Sequence, residues 1–343
     1  MIIEYPISSN YMKHWSLKHA IREVVQNALD SDQYFIKSNY ECIAVSNKVV
    51  GELNKKELLW LGESNKRPGA IGKYGEGLKL ALLVLAREKI PHSFDTPIGR
   101  LYGIIKNDQF CICFDEEKTT TIATFYIHHS EAEDLANDML LSTKKYKLLG
   151  ENATGQCIDL AGCVFVNGLL VTDKAGTKYG YNFKPSKINL DRDRQTVSDF
   201  DLTWETSQLL HETFAHSDLA ELMYENVKDV QYVQNFAGNS LKKACLDYAI
   251  KIYGAGVLIA RTAEEARIWQ VLNPKARVIH RSGGFGILAG SSVGERGLRS
   301  EAPKENPSEV MLSFFERNKK HVRSKALTEL KAIVQASTKW TKK

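Results

Sequence analysis

The 343-residue sequence has no run of the ~18 consecutive apolar residues that a membrane helix needs. Its nearest approach, "LKLALLVLAR" (78–87), is the length of a core helix. The first residues, "MIIEYPISSNYMKHW", lack a charged segment followed by an apolar one, so a secretory signal is not expected. The six cysteines (42, 111, 113, 157, 163 and 245) form no CxxC pair and no Cys/His cluster of zinc spacing. Cys111 and Cys113 are two apart on one face of an expected strand, a poor shape for a disulfide. Reduced thiols in a cytoplasmic protein are therefore expected. No internal repeat occurs, and the phosphate-binding pattern GxxxxGK[ST] is absent. No aspartate lies between Asp32 and Asp95.

What is present is an ordinary globular composition, 43% hydrophobic and 25% charged, which excludes disordered and collagen-like chains. The net charge of +5 is mild and sits in the tail, where residues 301–343 carry ten Lys/Arg against five Asp/Glu. Such a tail can touch nucleic acid, although a solvated helical face is the commoner explanation.

The expected fold class is α+β. A helix over 16–37, with Ser16 available as N-cap, precedes strand 41–47, short helix 55–62, a polar glycine-rich loop over 63–77 and a second long helix over 78–89. Strands over 100–106, 109–115 and 120–129 follow. This order predicts helices on one face of a mixed sheet across residues 1–135. A second α/β domain is expected over 150–240, with an Asn-Gly hairpin in "CVFVNGLLVT" (163–172) and helical patterns over 203–235. A small α/β module over 241–295 has strand 256–260, helix 262–273, strand 276–281 and loop "SGGFG" (282–286). Residues 296–343 read as a linker and basic helical tail.

The first helix carries the chemistry. In "IREVVQNALDSD" (21–32), Ile21, Val24, Val25, Ala28 and Leu29 have the spacing of a buried face. Glu23, Asn27 and Asp30 form a stripe beside it. A carboxylate there can orient a water or take its proton. Asn27 can offer a side-chain oxygen to Mg²⁺, which prefers oxygen ligands and substrate phosphates. Asp30 would sit near the nucleotide end or cap a neighbouring loop. The second element is "GAIGKYGEGLKLAL". Gly72, Gly75 and Gly77 precede a helix and can bring backbone N–H groups close to a phosphate. The helix N-terminus favours negative charge. Lys73 and Lys79 add full charges, and Glu76 lies between the last two glycines. The bland readings are a solvated helix edge and a glycine linker. Helix and loop together favour the chemical one, because each supplies what the other lacks.

"REVVQNALDS", followed by "IGKYGEGLKLALLVLAR", resembles the GHKL (Bergerat-fold) superfamily of ATP-binding proteins. That superfamily includes gyrase B subunits, ninety-kilodalton heat-shock chaperones, histidine kinases and MutL mismatch-repair proteins. The resemblance covers about residues 15–130. It implies a GHKL-type α/β sandwich that binds ATP and Mg²⁺, with Glu23 activating the attacking water and Asn27 binding the metal. The family's lid segment resembles "LGESNK" (61–66), which makes Ser64 and Lys66 lid contacts. "TTT" (119–121) stands where the family often has Gly-Thr beside the base, which makes Thr121 a base contact. "CVFVNGLLV…NLDRDRQTV" resembles the S5-like transducer domain of the gyrase and MutL branches. Arg192 and Arg194 would then reach a γ-phosphate, for which a guanidinium fork is suited. Lys174 and Lys178 are rivals for that role, and a surface salt-bridge loop is the plain alternative.

The chain departs from the family at its D-x-G-x-G motif, whose Asp accepts from the adenine amino group. Only Gly51 remains of its glycines, and Ser46 or Asn47 offers a neutral oxygen instead. The resemblance implies slow, Mg-dependent ATP hydrolysis that drives closure or homodimerisation, as in compact bacterial or phage members, with an unidentified protein partner or client. The alternatives are a nucleotide-sensing or scaffold module without hydrolysis, suggested by the missing Asp, and a DNA-handling ATPase, suggested by the tail.

Overall fold

The computed structural model describes residues 1–31, 33–39, 41–47, 55, 59, 76–190 and 197–290. The chain divides into two compact units, Met1–Ala237 and Gly238–Lys343. The first contains both large sheets, so the boundary expected near 135–150 falls inside it.

A seven-stranded sheet carries the first unit. Its strands are β1 (Ile2–Ser8), β2 (Tyr34–Asn39), β3 (Cys42–Asn47), β4 (His92–Thr96), β5 (Gly99–Lys106), β6 (Gln109–Asp115) and β7 (Ala123–Ile127). They lie in the order β1-β6-β5-β4-β7-β3-β2, and every neighbouring pair is antiparallel. The α+β expectation holds, but a mixed sheet does not. The connections β2–β3, β4–β5 and β5–β6 are short returns, which give antiparallel neighbours, whereas a parallel pair needs a long crossover.

Among the described residues, the helices α1 (Leu17–Leu29), α2 (Gly77–Arg87) and α3 (Ala132–Met139) pack on this sheet. Alternation explains the core. Phe110, Ile112 and Phe114 of β6 join it, as do Ile43 and Val45 of β3 and Phe125 and Ile127 of β7. Cys111 and Cys113 turn to the other face, and all six cysteines are free thiols.

The helix expected over 16–37 stops at Leu29. Ser16 is the N-cap, and its N–H donates to His19 Nδ1 at 3.1 Å. At the far end the Ser31 hydroxyl bonds Ala28 O at 2.8 Å and Gln33 O at 2.9 Å. These bonds satisfy late groups of the helix and turn the chain. The aromatic and β-branched run Tyr34–Phe35–Ile36 then pairs with β3. Strands β1 and β4 carry no strong sequence signal and were not expected. The strand expected over 120–129 is confined to β7.

Strands β8 (Leu148–Glu151), β9 (Gly155–Ile158), β10 (Val164–Val166), β11 (Leu169–Thr172) and β12 (Gly180–Phe183) form a second sheet, ordered β11-β10-β12-β9-β8, in which only β10–β12 is parallel. The expected Asn-Gly hairpin is present. Asn167 and Gly168 both have positive φ, 50° and 79°, as a two-residue primed turn requires. Helices α4 (Asp199–Thr213) and α5 (His216–Glu225) follow. Asp229 is fully buried between α4 and β12. It accepts from Lys178 N at 2.7 Å, Tyr179 N at 3.2 Å and Tyr181 Oη at 2.5 Å. Its own carbonyl accepts from Thr206 and Ser207. Burial, with Asp229 beside it, pushes the Tyr181 phenol well above its usual pKa. Burial pushes the Cys157 thiol to about 12, and Asp229 adds to that rise.

The second unit contains α6 (Asn239–Tyr253), α7 (Ala263–Leu272) and the parallel pair β13 (Leu258–Ala260) and β14 (Val278–His280). Residues 283–290 are helical, which overlaps the loop expected over 282–286 from its glycines. Phe285, Leu288 and Ala289 are buried there, and that apolar spacing outweighs helix propensity. Among the described residues, no helix is long and apolar enough to cross a membrane.

Two tests follow from this architecture. Asp229→Ala leaves three donors without their acceptor and should cost about 3 kcal/mol or more in denaturant unfolding; a change below ~0.5 kcal/mol contradicts the assignment. His92 receives Gly103 N–H at Nε2 (3.0 Å) and sets Nδ1 against Ile90 O (2.6 Å), so its ring is neutral. Burial lowers its pKa, against the opposing pull of the Ile90 bond. Below about pH 6.5 the unfolded chain takes up a proton that the folded ring resists. Stability should therefore fall from pH 7 to pH 5, and His92→Gln should make that fall shallower. An identical pH slope in the variant rules out His92 as its source.

Candidate functional site

Helix α2 is held at both of its ends, by α1 and by the segment that leads into α1. At the C-terminus of α2, the Arg87 guanidinium donates to the carbonyls of Ser9, Tyr11, Met12 and Trp15, the segment that leads into α1. At the N-terminus of α2, Gly77 meets Glu23 of α1. A Cβ added to Gly77 would lie 1.9 Å from Glu23 Oε2 and 2.9 Å from its Cδ. The two helices are thus antiparallel neighbours, and the carboxylate occupies space that only glycine leaves open. Glu23 is 5% exposed. A carboxylate at a helix N-terminus faces unsatisfied N–H groups and the positive end of the helix dipole.

The other predicted residues divide. Asn27 is half-buried, four residues beyond Glu23, which carries it ~6 Å along α1 past the start of α2. Asp30 is the half-buried C-cap residue. Both therefore lie on the side from which the chain enters α2. Glu76 is the half-buried N-cap of α2. Lys79 is buried, but two helical residues turn about 200°, so its stem leaves α2 away from the Gly77 contact. Gly72, Lys73, Gly75, Ser64, Lys66, Arg192 and Arg194 lie outside the described residues.

At the sheet, the period of two separates the two candidates for the base. Val45 points into the core, so Ser46 projects from the opposite face, where its hydroxyl lies 3.0 Å from that of Thr124. Asn47, next along, is on the face that the helices cover. Thr121 is exposed ahead of β7, and the threonine that meets Ser46 is Thr124. Ser46 thus stands apart from the helix-covered face. Lys174 is exposed, and Lys178 is ion-paired to Glu225 at 2.7 Å near the surface.

Three side chains were not anticipated. Arg22, beside Glu23, is 9% exposed, and its Nη1 donates to Leu170 O in the β10–β11 hairpin. Asn167, in the turn of that hairpin, donates from Nδ2 to Leu29 O at 2.9 Å and so caps a carbonyl at the end of α1. Gln26 is fully buried, and neither atom of its amide has a hydrogen-bond partner among the described residues. No local pattern signals the first two, because their partners lie 148 and 138 residues away. The polar residue amid "VVQNAL" was the available sign of the third. Among the described residues, no group of three His, Cys, Asp or Glu could hold a metal by itself.

No protein-family model matches the chain. It is similar to an uncharacterized protein of Mycoplasma pneumoniae (strain ATCC 29342 / M129), with 27% identity over 213 residues; the match spans 54% of this chain and 86% of that protein.

The Glu23–Gly77 contact makes a prediction whose sign reverses. In the native background Gly77→Ala should destabilise by about 1–2 kcal/mol through overpacking. In a Glu23→Ala background the same change should be neutral or stabilising by up to about 1 kcal/mol, from helix propensity. A double-mutant cycle by chemical denaturation measures this; additive effects contradict the contact.

Proposed function

We propose that the protein is a magnesium-dependent ATPase of the GHKL type, binding the nucleotide between α1 and the N-terminal end of α2. The observation that carries this reading is the Glu23 carboxylate against Gly77, at the start of a helix preceded by a glycine-rich stretch. The placement of α1 and α2, which flank β2 and β3 in the chain, on one face of an antiparallel sheet supports it. So does the position of Asn47 at the end of β3, on the face the helices cover.

In this reading Glu23 orients the attacking water and takes its proton. The start of α2 offers backbone N–H groups to phosphate oxygens. Asn27 holds Mg²⁺ through its side-chain oxygen, and phosphates and water supply the ion's further ligands. Bound Mg²⁺ supplies charge neutralisation at the phosphates. Asn47 meets the base with a neutral carboxamide, so the base is held more weakly than by a carboxylate. Turnover is slow, because positioning must be completed by closure. The free cysteines suit a cytoplasmic setting. Closure or homodimerisation, and a protein client, belong to the same proposal.

The neutral Asn47 favours a second reading, a nucleotide sensor without significant hydrolysis. One variant separates the two. Glu23→Ala should abolish phosphate release by at least ~100-fold while ATP·Mg²⁺ still binds by calorimetry. Undiminished turnover in that variant refutes the ATPase reading. Nucleotide binding without turnover in the native protein selects the sensor.

A further inference from the structure

The helical positions of Arg22, Glu23 and Gln26 locate a polar group with no evident use. Arg22 reaches the β10–β11 hairpin and Glu23 reaches the start of α2. Steps of about 100° place Gln26 about 40° from Arg22 and about 60° from Glu23, one turn further along α1. Its side chain therefore starts between those two contacts, next to Asn27. It is fully buried, and its Nε2 and Oε1 have no partner among the described residues. A buried carboxamide with both ends unsatisfied is a standing cost to the fold, one that an apolar side chain of similar size would not incur.

We infer that Gln26 is a further binding residue of the Glu23–Gly77 site, whose carboxamide takes a polar partner from the bound nucleoside triphosphate. The inference rests on the nucleotide reading above and adds a residue to it. It gives a use to a buried polar side chain that, unlike its neighbour Arg22, has no hydrogen-bond partner among the described residues. The amide has no partner among the described residues and gains one when the ligand arrives. A merely tolerated glutamine would contribute nothing to affinity.

The test is Gln26→Leu, with Gln26→Met as a second, unbranched replacement should leucine fit poorly. ATP·Mg²⁺ affinity is measured by calorimetry and the ligand-free unfolding midpoint by thermal denaturation. Both variants should raise the ligand-free midpoint by about 2–4 °C and weaken ATP·Mg²⁺ binding about tenfold. Unchanged affinity in the variants, with normal binding by the native protein, overturns the inference and leaves the nucleotide reading standing. A fall in affinity together with a lower ligand-free midpoint assigns Gln26 a structural role and also overturns it. Failure of the native protein to bind ATP·Mg²⁺ overturns the nucleotide reading, and the inference with it.

Discussion

A carboxylate pressed against a glycine at the head of a helix sets the geometry of the first unit. Glu23 could not stand where it does if residue 77 had a Cβ. Gly77 in turn lets α2 begin close against α1. Arg87 closes the other end, binding four carbonyls of the segment before α1. The two helices are fixed in antiparallel register by one contact at each end, and the apolar faces of both fill the space over the sheet. Glu23 therefore has a defined place against Gly77, while Asn27 and Asp30 remain half-buried.

Burial follows from the same arrangement. Of the expected stripe, Glu23 is buried and Asn27 and Asp30 are half-buried, and Arg22 and Gln26, which were not part of it, are buried as well. The hairpin β10–β11 accounts for part of this, since Leu170 O and the Asn167 amide bond α1 directly and Leu169 joins the main core. A shift of that hairpin would pull on a carbonyl at the end of α1 and on the residue beside Glu23. This gives the second sheet a physical connection to the candidate site. Polar groups in such a place are costly unless each has a partner, so they mark where chemistry or binding is to be sought.

Much of the fold was legible where one period ran uninterrupted. The apolar face of Ile21–Leu29, the run 78–87 and the alternating strands β5 and β6 are each their own signal. The α1–α2 pairing was suggested by residue chemistry, because an acidic stripe and a glycine turn make sense together. Other features depended on distant partners. The end of α1 at Leu29 was missed because the apolar pattern continues into Tyr34–Ile36, which pairs with β3. Ser46 and Asn47 are adjacent in an expected strand and so face opposite ways, but which of the two faces the helices cover is known only from the packing. Asn167 reads simply as a turn residue, and its bond to Leu29 O exists because the β10–β11 hairpin packs against the end of α1. The helix at 283–290 was hidden by its glycines.

The central claim is that α1 and the start of α2 enclose a nucleotide. A crystal structure with Mg²⁺ and a non-hydrolysable ATP analogue tests it most directly. The account predicts phosphate oxygens at the backbone N–H groups around Gly77, the ion on Asn27, and Glu23 facing the terminal phosphate. An analogue bound elsewhere, or a soaked crystal in which this region stays empty at saturating concentration, contradicts it.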